Sequence, residues 1–125
     1  MKTKIISSAL VIVCGLFLLA GCGKSSNNSA NPTSNNGGTP VAAASVSIEN
    51  FAFSPATVRV KLGGTVTWTN KDASPHTATD LNGKFDSGSL ATDKTFTQTF
   101  ATAGTYTYHC TIHSMMANAT VIVGD

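Results

Sequence analysis

From Ser45 onward, apolar residues recur at every second position in runs too short for amphipathic helices. Ser45–Glu49 sets Val46 and Ile48 on one face, Thr57–Lys61 sets Val58 and Val60, and Thr65–Asn70 sets Val66 and Trp68. Phe96 and Phe100 are in step in Thr95–Phe100, as are Tyr106, Tyr108 and Cys110 in Thr105–Cys110, and Val121 and Val123 in Ala119–Val123. Shorter strands are expected around Thr77–Asp80 and Lys84–Ser87, and Gly63-Gly64 reads as a turn. Period two means one face buried and one wet, and no window of helical length carries a 3.6 period. Seven or eight short strands in about 81 residues predict an all-β chain folded as a two-sheet sandwich. Trp68, Phe96, Phe100, Tyr106 and Tyr108 are expected in its core.

The segment before it is organised differently. Met1–Ser8 carries Lys2 and Lys4, and Ala9–Ala20 is a run of twelve mostly apolar residues. A bilayer span needs ~20 such residues, so this run suits an export signal instead. It ends in Leu19-Ala20-Gly21-Cys22, which resembles the bacterial lipoprotein signal, in which the cysteine is lipidated and becomes the new N-terminus. Residues 1–21 are read as that signal and 22–44 as a lipidated linker rich in Ser, Asn, Gly and Pro. Such a composition buries too little apolar surface to fold, and the segment would span roughly 25 Å on average as a flexible coil. The folded domain is read as 45–125.

Charge and cysteine usage narrow the function. The chain has 8 Lys and Arg against 6 Asp and Glu, but Lys2 and Lys4 leave with the signal, so the mature chain is near neutral. It has no basic stripe, and nucleic-acid binding is excluded. Cys14 lies in the signal and Cys22 carries lipid, so Cys110 is the one cysteine of the domain. An unpaired thiol outside the cytoplasm calls for a reason, burial or a metal.

The run Tyr106-Thr107-Tyr108-His109-Cys110-Thr111-Ile112-His113-Ser114-Met115-Met116 brings one thiol, an imidazole and thioethers within a few residues of each other. A further imidazole, His76, lies in Ser74-Pro75-His76-Thr77. Two nitrogens, one thiolate and a weak thioether are the donors of a blue-copper site. Soft sulfur suits Cu(I) and imidazole suits Cu(II), so a rigid set acceptable to both states reduces reorganisation on electron transfer. Zinc usually draws on more Cys or His and leaves the thioether idle. His109 adjoins Cys110 on a strand, points to the opposite face and is not counted as a ligand.

Taken together, Gly63-Gly64 with Val66-Thr67-Trp68-Thr69-Asn70, Pro75-His76, Gly104-Thr105-Tyr106 and Cys110-x-x-His113-x-x-Met116 resemble the cupredoxins of the plastocyanin and amicyanin group. The short Cys-x-x-His-x-x-Met spacing is that of amicyanin. The resemblance implies a Greek-key sandwich holding one copper ion, with His76, Cys110 and His113 in plane and Met116 axial. It implies an electron carrier rather than an enzyme, acting as a monomer. His113 would be its electron port, in an apolar patch with Pro75 and Met115. Partners would be c-type cytochromes, oxidases or reductases, and the protein would sit in the bacterial cell envelope, held to the membrane through Cys22. Copper delivery or buffering is the alternative, since it uses the same ligands, and a metal-free structural sandwich is a third reading. Two positions depart from the family. Thr77 stands where many relatives have Asn, with a hydroxyl in place of the amide that ties the ligand loops. Ile112 stands where amicyanin and plastocyanin have Pro, which frees an N–H for a hydrogen bond to the Cys110 sulfur. Lys71, Asp72, Asp93 and Lys94 are read as solvated loop charges.

Overall fold

The computed structural model describes residues 38–125. The expected signal segment 1–21, Cys22 and the linker as far as residue 37 lie outside the described residues. The described chain is all strand: β1 (Val41–Glu49), β2 (Ala52–Ser54), β3 (Thr57–Asn70), β4 (Thr79–Asp80), β5 (Thr95–Thr99), β6 (Gly104–His109) and β7 (Ala119–Val123). No described helix is long and apolar enough to cross a membrane.

Strand β3 builds the sandwich because its two halves pair with different neighbours. Thr57–Val60 runs parallel to Thr120–Val123 of β7, and β6 and β4 follow outward from β7. Thr65–Asn70 runs parallel to β1 and antiparallel to β5, with β2 outside β1. The change of partner falls at the expected Gly63-Gly64 turn, which lies inside the strand as a sharp bend. Gly63 has φ +78°, a backbone that side chains disfavour. At Gly64 a Cβ would stand 2.8 Å from the Lys61 carbonyl oxygen and 3.0 Å from that of Ala42. The bend is tied to the end of β5 by Gly63 N–H to Phe100 O (2.7 Å) and Phe100 N–H to Gly64 O (2.9 Å).

The period-two residues meet between the two sheets. Val46, Ile48, Val66 and Trp68 from one sheet and Val58, Val60, Tyr108 and Val121 from the other are buried. Each such side chain contributes ~1.5–3 kcal/mol against the entropy of ordering it. Trp68 crosses the gap to Tyr108 (ring centroids 5.3 Å, T-shaped) and packs on Phe96 and Phe85. Of the aromatics expected in the core, Trp68, Phe100 and Tyr108 are buried, while Phe96 and Tyr106 pack against it partly covered.

Three boundaries differ from expectation. Strand β1 starts at Val41, so Val41–Ala44 is strand where composition reads as linker. Ala43 and Ala44 pair with Thr65 and Val66, and Ala44 is buried; alanine is too small to show which face it occupies. Strand β2 has only three residues, too few to display a period. Lys84–Ser87 forms a single bridge, Thr79 to Asp86, instead of a strand; its backbone bonds are Asp80 N–H to Phe85 O (2.9 Å) and Ser87 N–H to Ala78 O (3.1 Å).

The bend makes a quantitative expectation. Gly64→Ala should destabilise the protein by about 1–3 kcal/mol, since its contacts are backbone atoms that cannot move aside. Gly83→Ala, at φ +72° with open space around it, should cost about 1 kcal/mol from backbone strain alone. Urea unfolding of both variants checks this, and a Gly64→Ala variant as stable as the parent would mean that the bend tolerates a Cβ there.

Candidate metal centre

The chain segments after β1, β3 and β6 meet at one end of the sandwich. Strand β3 ends in Asn70, fully buried. Its amide donates to Ser74 O and Leu90 O (both 2.8 Å), and its Oδ1 accepts from Asp72 N–H (2.9 Å). These bonds shape the loop that delivers His76. The His76 backbone then pairs with Leu90 in both directions, at 3.1 and 2.8 Å. The ring is completely buried, and Asp72 Oδ2 lies 2.9 Å from its Nε2.

Asp72 is therefore no solvated loop charge, as its sequence setting suggests. It is mostly covered and accepts from Phe51 N–H (2.9 Å), Asn50 N–H (2.7 Å) and His76. The Phe51 N–H is the largest of the effects that hold its carboxyl below the ordinary value; burial opposes them, and Asn50 and His76 assist. An ionised carboxylate only accepts, so Nε2 carries a proton toward Asp72, and in the neutral ring Nδ1 then keeps its lone pair.

That lone pair faces Cys110 and His113. Cys110 follows β6, is buried, and is a free thiol. Its Sγ lies 3.7 Å from His76 Nδ1 and 3.9 Å from His113 Nδ1, and the two nitrogens are 3.2 Å apart. All three donor atoms fall within 4.8 Å of one another. Donors bound at ~2.0–2.3 Å and separated by angles of about 105–120° stand ~3.2–4 Å apart, so these separations fit a single shared ion. The soft sulfur beside two imidazoles suits copper. His113 is half-buried, and the turn beyond it is closed by Met116 N–H to His113 O (3.0 Å). Burial separates the two methionines: Met116 is 5% exposed and Met115 83%. His109, as expected, stands outside the cluster.

Exposed apolar residues lie close in sequence to the two histidines, and one more touches both rings. Ile112 and Met115 are exposed, as are Pro75 and Phe51. The Phe51 ring meets both imidazoles edge-on, with centroids 5.2 Å from His76 and 5.0 Å from His113. Sequence reasoning missed Phe51 and the partnership of Asp72. The single hint was an aromatic directly before a strand too short to recognise.

A family model for the cupredoxin-like domain matches residues 10–123. The chain is a cupredoxin. It is similar to amicyanin of Paracoccus denitrificans, 34% identical over 82 residues, which are 62% of this chain and 63% of that protein. The chain thus spans a little under two thirds of that relative. It is 33% identical to amicyanin-alpha of Methylorubrum extorquens over 66% of this chain and 74% of the relative. A solved purple cupredoxin from Nitrosopumilus maritimus shares 32% identity, with a TM-score of 0.58 over 64% of this chain and 98% of that one.

In this cupredoxin Thr77 does tie the two ligand loops. Its hydroxyl accepts the Thr111 N–H (2.9 Å) and lies 3.1 Å from the Thr111 hydroxyl. Its backbone N–H donates to Cys110 Sγ (3.4 Å). Ile112 departs from the expectation: among the described residues the backbone N–H that reaches the sulfur is that of Thr77, and Ile112 instead presents its side chain at the surface. Ile112→Pro therefore loses no bond to sulfur. Thr77→Val should leave the Thr111 N–H without its partner and cost about 1–3 kcal/mol, whereas Thr77→Asn, with an amide oxygen in reach, should recover most of it. Thermal unfolding of the metal-free protein measures both, and a valine variant as stable as the parent would deny the tie.

Proposed function

We propose that this cupredoxin is a membrane-tethered electron carrier in which His76 Nδ1, His113 Nδ1 and the Cys110 sulfur would hold one copper ion, with Met116 as a fourth, weaker donor. The carrying observation is the convergence of two imidazole nitrogens and a buried thiol, with one of those imidazoles half-buried against the exposed Phe51 ring. When bound, copper supplies one-electron chemistry between Cu(I) and Cu(II). The residues do the rest. Asp72 keeps the His76 proton on Nε2 and so leaves Nδ1 free. The Thr77 N–H stabilises charge on the Cys110 sulfur. The Asn70, Leu90 and Thr77 bonds hold the donors in one arrangement, which limits reorganisation. His113 offers the short route from metal to partner, while Phe51, Pro75, Ile112 and Met115 keep water from the contact.

Three of the four proposed donors, His76, Cys110 and Met116, are buried, which favours retention of the ion over its delivery. The same face suits a redox partner of the cell envelope with an apolar surface around its own centre, such as a c-type cytochrome, an oxidase or a reductase. The lipoprotein-like Cys22 supports tethering of the domain outside the cytoplasm.

Copper loading should turn the protein intensely coloured through a sulfur-to-copper transition, and Cys110→Ser should abolish the band; a coloured serine variant would refute the site. Gln is a stronger axial donor than Met, so Met116→Gln should lower the potential and alter the copper EPR spectrum. Met115→Gln should leave both nearly unchanged and slow transfer to a partner. A spectral change that follows Met115 instead would move the axial ligand by one residue. Cys22→Ala should release the protein from membranes, as read by detergent partitioning, and unchanged partitioning would exclude the lipid anchor.

A further inference from the structure

The turn between β1 and β2 is unusual. Asn50 and Phe51 both adopt left-handed backbone conformations, with φ 53° and 57°. For a bulky residue such as Phe this is disfavoured and persists only where surrounding contacts hold it. Both N–H groups of this turn donate to the Asp72 carboxylate, Asn50 to Oδ1 (2.7 Å) and Phe51 to Oδ2 (2.9 Å). Oδ2 also lies 2.9 Å from His76 Nε2. Asp72 is itself fixed, through its N–H on Asn70 Oδ1 (2.9 Å) and its carbonyl accepting from the Thr92 hydroxyl (2.8 Å). The adjoining Lys71 N–H donates to Ile48 O (2.7 Å), which binds the ends of β1 and β3 together.

We infer that Asp72 is a positioning residue that couples the metal site to the docking face, because one carboxylate holds both His76 and the turn that presents Phe51. Without the carboxylate, the strained turn loses the two charge-assisted bonds that oppose its relaxation. The Phe51 ring would then leave its edge-on seat against His76 and His113, and the His76 ring would lose the acceptor that fixes its tautomer and orientation. The exposed aromatic at the rim and the buried histidine would loosen together. The coupling of turn and imidazole stands on the contacts alone; its effect on a potential rests on the proposed copper site.

Hydrogen exchange followed by NMR, on the metal-free and the Cu(I) protein, tests the coupling. In Asp72→Ala the Asn50 N–H, the Phe51 N–H and the His76 Nε2–H should all exchange faster, on the order of tenfold or more, while Val58 and Val121 amides in the sandwich keep their rates. Release of the turn with His76 Nε2–H unchanged, or the reverse, would overturn the coupling. In Asp72→Asn a neutral acceptor polarises the imidazole less, so the reduction potential should rise with the fold intact. If the alanine variant loosens the whole sandwich, Asp72→Asn decides: unchanged potential together with unchanged exchange at Asn50 and Phe51 overturns the inference. A parent protein that binds no copper would defeat the proposed function, while exchange in the metal-free state would still decide the role of Asp72.

Discussion

Two imidazole nitrogens and a thiol sulfur are held within 4.8 Å of one another with two of the three residues wholly buried. Without a metal these groups can only share protons, as the 3.2 Å between the two Nδ1 atoms allows; a metal ion takes all three lone pairs at once. With the His76 proton drawn to Asp72, the Nδ1 lone pair of this buried ring is left pointing at its neighbours. A chain builds such a cluster only if each donor is fixed from behind. The structure supplies the fixing: Asn70 and Leu90 behind His76, the end of β6 behind Cys110, and Thr77 linking the two.

The sandwich serves this end of the molecule. The bend at Gly63-Gly64 lets one strand join both sheets, so the loops after β3 and β6 are carried by a single hydrogen-bonded framework. Trp68 and Tyr108 then fill the space between the two sheets. Thr77 is the point where framework and site become one, since its side chain binds Thr111 and its backbone binds the Cys110 sulfur. Where the amide common in relatives is absent, the shorter hydroxyl works because the Thr111 N–H comes to 2.9 Å from it.

Much of this was legible from residues alone. The alternation of valines in β3 and β7 declared the strands, and Pro75-His76 with the Cys-x-x-His spacing pointed to the three donors that converge. The neighbouring methionines were told apart by loop register, and of the two Met116 is the buried one. What sequence did not disclose depends on pairing across the chain. Asp72 looked solvated because its partners, Asn50 and Phe51, are more than twenty positions away and offer only backbone N–H groups. The freed N–H of Ile112 was visible, but not that the sulfur's donor comes from Thr77 across the gap between loops. Val41–Ala44 hid its strand because alanines carry no pattern.

The central claim is a preformed, rigid copper site of two imidazoles and one thiolate. X-ray absorption of the copper-loaded protein, in both oxidation states, addresses it most directly. The account predicts a first shell of two nitrogens and one short sulfur bond that scarcely changes on reduction. A shell without sulfur, or one that gains or loses a ligand between the two states, would contradict it.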